Sequence, residues 1–209
     1  FSYHLVKLSY FDTLKSIFIP FRMPKTSQLI HAEIMYAMTL GAPVFSFSRI
    51  LLRQIVVFAQ WTDELAIESF LNETTFGKKL SKGWHVRIEE ENTPIVAVTI
   101  ARMKLPEVPR FIHWGRPVEQ LVRDSPAATL SLASIKLPRT VSTFSIWNSI
   151  HAMKDMVHGH SAVPKPQRHH DAMQERDRKD FHFEFTTLRF IPIAEYGVWN
   201  GKHTWIPQQ

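Results

Sequence analysis

The chain has 209 residues, 44% hydrophobic and 12% aromatic, with a formal net charge of +6 and a pI near 9.7. That much apolar and aromatic side chain excludes a disordered chain and suffices for one large domain or two small ones. No run approaches the roughly 18 to 20 apolar residues of a membrane-spanning helix, so the reading is a chain that is soluble or peripheral to a membrane. In chain order, the pattern predicts a strand over residues 3–10, a helix over 11–19 and a strand within 43–50. The apolar stretch 42–60, interrupted by Arg49 and Arg53, reads as two short strands around a turn. A strand then runs over 55–61 to Trp61, followed at once by a residue suited to capping a helix that presents Leu65, Ala66 and Phe70. A closing strand is expected over 84–90, and a join near 90–94.

The second half repeats this order. Strands are predicted over 95–104, 127–136, 141–147 and 185–193. One helix is expected within 107–123, and another follows Ser149 with Ile150, Ala152, Met153 and Met156. An offset of 86 residues pairs Phe58 with Phe144, Trp61 with Trp147, Ala66 with Ala152 and Phe70 with Met156. Period two changes to period 3.6 at the same place in both copies. The order βαββαβ therefore occurs twice, giving an α+β chain of two tandem ferredoxin-like modules, 1–91 and 92–209. Each module covers one sheet face with its helices and leaves the other to be buried. The expected solution is the two modules packed sheet to sheet as an intrachain dimeric α+β barrel. The simpler alternative is a single mixed sheet with helices on one side.

Cysteine is absent, which excludes disulfides, thiolate metal sites and a cysteine nucleophile. No GxGxxG, GxxxxGK[ST] or GxSxG occurs, arguing against dinucleotide binding, P-loop chemistry and the hydrolase elbow. The basic charge eases contact with nucleic acid, anionic lipid or an acidic partner. Nucleic acid is disfavoured, because the aromatic stacking motif of RNA-recognition sheets is missing. The chain begins at Phe1, as a cleaved targeting segment or an absent start would both give, so an organellar location is one reading and the compartment stays open.

Five histidines, His151, His158, His160, His169 and His170, fall within twenty residues. Neutral imidazole ligates haem iron, zinc or copper when its second nitrogen is held. The plainer reading of the same stretch is a solvated polar segment, with the charged run 168–179 an exposed helix face. Trp61 and Trp147 close equivalent strands, as core plugs or as substrate-lining groups. Phe144, Phe183, Phe185 and Phe190 alternate on strands and are expected to face the core between sheets, where an apolar ligand would lie. Arg189 sits among apolar strand residues; if inward, it needs Glu184 or a bound carboxylate, such as a haem propionate. Outward is the simpler orientation. Residues 199–202, Trp-Asn-Gly-Lys, read as a turn.

Thr143-Phe144-Ser145-Ile146-Trp147, Ala152-Met153, His169 with Ala172, Glu184, Leu188-Arg189-Phe190 and Gly197-Val198-Trp199-Asn200-Gly201-Lys202 occur in an order that resembles the spheroidene monooxygenase family. Weaker similarity continues upstream through 96–102 and 111–114. The resemblance implies a dimeric α+β barrel and a haem-dependent monooxygenase of carotenoid biosynthesis, acting on a hydrophobic, conjugated substrate. It places the iron ligand on His169. The stretch 159–168 is longer than the family's link, which leaves His158, His160 and His170 as competitors. Trp61, Phe144 and Trp147 would line the substrate. Two other functions fit: a non-catalytic accessory subunit that keeps the fold within a larger protein assembly, and a cofactor-free oxygenase needing no histidine ligand.

Overall fold

The computed structural model describes every residue except Pro20, Lys25, Val44, Phe45, Phe47, Ser48, Glu91, Asn92, Pro94 and Gln209, and the side chain of Ile17. The elements are β1 Ser2–Lys7, α1 Tyr10–Phe18, β2 Leu29–Met38, β3 Ile50–Trp61, α2 Glu64–Glu73, α3 Thr75–Leu80 and β4 Trp84–Glu89. They continue with β5 Val96–Met103, α4 Val108–Arg123, β6 Ala128–Lys136, β7 Thr140–Trp147, α5 Ile150–His158, α6 Arg168–Arg178 and β8 His182–Tyr196. The chain is α+β, with two ferredoxin-like modules in tandem. Two compact units form: Phe1–Ala37, Leu51–Glu89 and Pro192–Thr204 make the first, and Met38–Ile50, Glu90–Ile191 and Trp205–Gln209 the second.

In the first unit the strands lie in the order β4-β1-β3-β2, and in the second β8-β5-β7-β6. These are the same order, last-first-third-second, in both copies. The duplication extends to single hydrogen bonds. Asp63 caps α2 by accepting from the Ala66 N–H at 2.8 Å, and Ser149 caps α5 by accepting from Ala152 at 3.1 Å. Trp61 and Trp147 are both buried, and each indole N–H donates to a serine hydroxyl at 2.9 Å, Ser2 in one case and Ser145 in the other. A buried indole donor needs such a partner, which explains why both Trp-ended strands carry a small hydroxyl neighbour.

The first unit fills the space between sheet and helices with side chains. Val6, Ile55, Val57, Trp61, Ile67 and Phe70 form one buried cluster. Beside it, His4 and His85 face each other across β1 and β4 with rings stacked at 5.0 Å, and Tyr196 stacks on His85 at 4.9 Å. The second unit packs Leu121, Trp147, Met153 and Met156 together at one end. α6 is tied to α4 by Arg110, which bonds Glu175 at 2.9 Å and also pairs with Glu107.

Two expectations for the first module are corrected. Its second strand is Leu29–Met38; half of the strand expected within 43–50, residues 44, 45, 47 and 48, lies outside the described set. The stretch read as two short strands contains instead one twelve-residue strand, Ile50–Trp61, and Arg53 is accommodated there because its guanidinium lies 3.8 Å over the Tyr10 ring. Part of the join expected at 90–94, residues 91, 92 and 94, lies outside the described residues. The turn at 199–202 forms as read, with Asn200 and Gly201 at positive φ. Among the described residues, no helix is long and apolar enough to cross a membrane.

Candidate functional site

Alternation along a strand sends odd-numbered residues of β5, β7 and β8 to the side of the sheet that meets the helices. On that side the second unit carries short side chains: Ala97, Thr99 and Ala101 on β5, Val141 and Thr143 on β7, and Thr187 on β8. Helices α4, α5 and α6 pass above them, and the short side chains leave a cavity of about 460 Å³. Its roof is apolar, built from Phe111, Trp114 and Val118 on α4, Met153, Met156 and Val157 on α5, and Ala172 and Met173 on α6. Four of the seven methionines, Met38, Met153, Met156 and Met173, line it. Thioether side chains adapt to irregular apolar ligands, and the volume falls within the roughly 300–1,000 Å³ of small-molecule sites.

Three histidines reach this wall: His158, His169 and His182. His169 sits on the first turn of α6. Burial holds its imidazole below the usual value, partly offset by the Val157 carbonyl, yet no well-formed hydrogen bond satisfies Nδ1. His182 begins β8 and is 3% exposed. Its Nδ1 lies 3.1 Å from the Asp180 carboxylate, while Nε2 is buried without a partner among the described residues. Burial lowers its pKa and Asp180 pulls the other way. The ring is braced by Phe111 at 5.5 Å and Phe185 at 5.0 Å. An imidazole with one nitrogen anchored to a carboxylate and the other open is prepared to accept a proton or a metal bond.

The charged lining residues besides histidine are Glu119, Lys154 and Arg189. Glu119 is neutralised by Arg49, which donates two bonds of 2.9 Å to it. Among the described residues, no group of three or more His or carboxylate side chains could hold a metal ion. A group bound through one imidazole is a different case. A buried, unsatisfied imidazole nitrogen on an apolar cavity, with an arginine at the same cavity, fits haem.

Of the residues singled out in the sequence, the structure brings His158, His169, Arg189, Phe144 and Trp147 to this cavity. His160 and His170 are exposed and do not line it; His170 bonds Gln174 at 2.9 Å. Trp61 belongs to the first unit, packed on Phe70 at 4.9 Å. Glu184 is not the partner of Arg189, because it opposes Arg102 in the β5–β8 register and bonds it. The four phenylalanines do not share one face. Phe144 and Phe190 are fully buried, Phe185 lines the cavity on the helix side, and Phe183 is 51% exposed. Odd and even strand positions point oppositely, which separates 183 and 185 from 190. His182, Trp114 and Met173 were not singled out in the sequence. The one signal for His182 was the Asp180-x-His182 spacing.

No family model matches the chain. Over 127 residues it is 26% identical to spheroidene monooxygenase of Rubrivivax gelatinosus, covering 60% of this chain and 45% of the relative. The chain is similar to spheroidene monooxygenase. It spans less than half of that relative's length. Solved structures show weaker likeness. A provisionally assigned monooxygenase from Fusobacterium nucleatum subsp. nucleatum has 9% identity and a TM-score of 0.44, covering 94% of this chain and 93% of that one. An anthrone oxidase-like protein has 12% identity and a TM-score of 0.38, with 96% and 94% covered. A haem-degrading enzyme from Listeria monocytogenes has 10% identity and a TM-score of 0.33, with 92% and 100% covered. Likeness at that level says nothing of chemistry.

Proposed function

We propose that the C-terminal module, 92–209, carries a monooxygenase-type site for an apolar small molecule. The observation that carries this reading is the Met-rich cavity between sheet and helices, found in the half of the chain whose residues 143–147, 188–190 and 197–202 resemble the spheroidene monooxygenase family. The finer reading is a haem-dependent enzyme acting on a hydrophobic, carotenoid-like substrate. His169 would hold the haem iron, and Arg189 would stand near a propionate. Bound haem supplies the one-electron and O₂ chemistry that amino-acid side chains lack. The chain's own residues do the rest. Trp114, Met156 and Met173 hold the apolar body and exclude water, and Asp180 fixes His182 in the tautomer whose Nε2 can take up a proton.

A pyridine haemochrome assay on protein from its native source tests the reading, together with turnover of a polyene under O₂ with an external reductant. Near-stoichiometric haem, a Soret band lost in His169→Ala, and a product carrying one oxygen atom from O₂ are expected. A chain that stays haem-free after reconstitution, turns nothing over and co-purifies with stable partners would instead be an accessory subunit. Product formed without haem would point to a cofactor-free oxygenase.

A further inference from the structure

The duplication allows each helix-facing position of the second unit to be set beside its counterpart in the first. In the first unit Ser2 opposes Ala59 on one side and Arg87 on the other, while His4 opposes Val57 and His85. In the second unit Ala97 opposes Ser145 and Arg189, while Thr99 opposes Thr143 and Thr187. Ala59 and Ser145 stand 86 residues apart, as Trp61 and Trp147 do. Arg87 and Arg189 are therefore one position in two copies. The His4–His85 pair corresponds to Thr99–Thr187.

What differs is the helix above. Arg87 is held by Glu64 and Glu68 of α2. Counted from the caps Asp63 and Ser149, the corresponding positions on α5 are Ile150 and Lys154. One carboxylate has become apolar and the other has reversed its charge. Lys154 and Arg189 both line the cavity, and among the described residues neither forms an ion pair. Glu119, the acidic lining residue, is already engaged by Arg49. Where the first unit fills this level with two stacked imidazoles, the second has two threonine hydroxyls 3.3 Å apart. The same exchanges that open the space also leave two cations facing it.

We propose that Lys154 and Arg189 form an anion anchor at the edge of the cavity, which takes ligands with an apolar body ending in a carboxylate. The cations hold the carboxylate through charge-assisted hydrogen bonds, and the methionine and aromatic wall holds the body. This deepens the reading of the cavity as an oxygenation site and rests on it. Two sources share the chemistry: a haem propionate and a free apolar acid.

The test uses cis-parinaric acid, a conjugated polyene acid that fluoresces when buried, against its methyl ester. Haemin is compared with its dimethyl ester through the Soret band. The acid form should bind roughly 10- to 100-fold more tightly than the ester, the weight of one or two charge-assisted bonds. Lys154→Glu, which restores the first unit's carboxylate, and Arg189→Gln should each erase that preference, and Arg189→Lys should keep most of it. Both side chains are exposed, so the variants are expected to fold, which circular dichroism checks. A preference seen with haemin assigns the anchor to a propionate; one confined to parinaric acid assigns it to a free acid. Equal binding of acid and ester in both pairs, or binding of neither, overturns the proposal. Haem uptake with no acid preference sinks the anchor alone, whereas an acid preference without haem uptake or turnover sinks the oxygenase reading alone.

Discussion

Arg49 grips Glu119 through two parallel bonds of 2.9 Å, with each side chain 12% exposed. Glu119 also accepts the Gly41 N–H at 2.9 Å, so one carboxylate ties α4 to the segment after β2. Removing one member of a largely buried pair strands the other charge. Glu119→Ala is expected to lower unfolding free energy by about 2–4 kcal/mol, read from urea denaturation. The double variant with Arg49→Leu should recover part of that loss. Strict additivity of the two changes would contradict the pairing.

Gly77 reverses an ordinary helix rule. Glycine to alanine inside a helix normally stabilises by about 0.5–1 kcal/mol. A Cβ at position 77 of α3 would stand 1.9 Å from the Phe70 carbonyl oxygen. Gly77→Ala should therefore cost about 1–3 kcal/mol and lower the thermal midpoint. An unchanged or raised midpoint would show that α3 and α2 can move apart.

His4 sets a pH dependence. Burial first, then the neighbouring His85 and Arg87, push its pKa down from 6.5 to about 3. The folded chain holds this imidazole neutral where the unfolded chain protonates it. Its contribution is thus intact above 6.5 and is lost as pH falls from there toward 3. His85, His169 and His182 shift the same way and add to the slope. His4→Gln, which can keep the bond to Ser2, should flatten stability between about pH 6 and 5 by up to about 1.4 kcal/mol per pH unit. Chemical denaturation across that range measures it, and a slope identical to the parent would show that His4 takes up its proton in the folded state too.

Filling the cavity separates ligand capacity from stability. Thr99 projects from its floor and touches Thr187. Thr99→Phe should reduce uptake of a polyene probe at least about tenfold while changing stability by less than about 1 kcal/mol. Undiminished uptake in this variant would place the ligand elsewhere.

The repeated unit was legible because its signal is local: a strand ending in tryptophan, a capping residue and an amphipathic helix lie within some twenty residues of each other. β2 escaped because its period-two pattern is crossed by His31 and by Glu33, which is only 2% exposed. A charge inside a strand mimics the polar punctuation of a loop. His169 and Arg189 could be found by composition and resemblance. His182 could not, since what matters there is three-dimensional: an orphaned Nε2, the Asp180 carboxylate and two phenylalanine rings. The cavity was equally hidden. It is made by what is small, and a run of alanine and threonine at alternate positions carries no mark of the helices above it.

The interleaving of the two units has a consequence for synthesis. Pro192–Thr204 belongs to the first unit, where Glu195 accepts the Trp84 indole N–H at 2.6 Å and Tyr196 stacks on His85. The first unit therefore lacks part of itself until residues 192–204 have left the ribosome, more than a hundred residues after β4. No single proteolytic cut, and no split gene, yields two complete halves. Loss of residues 192–204 would be felt first in the unit that holds β1 and β4.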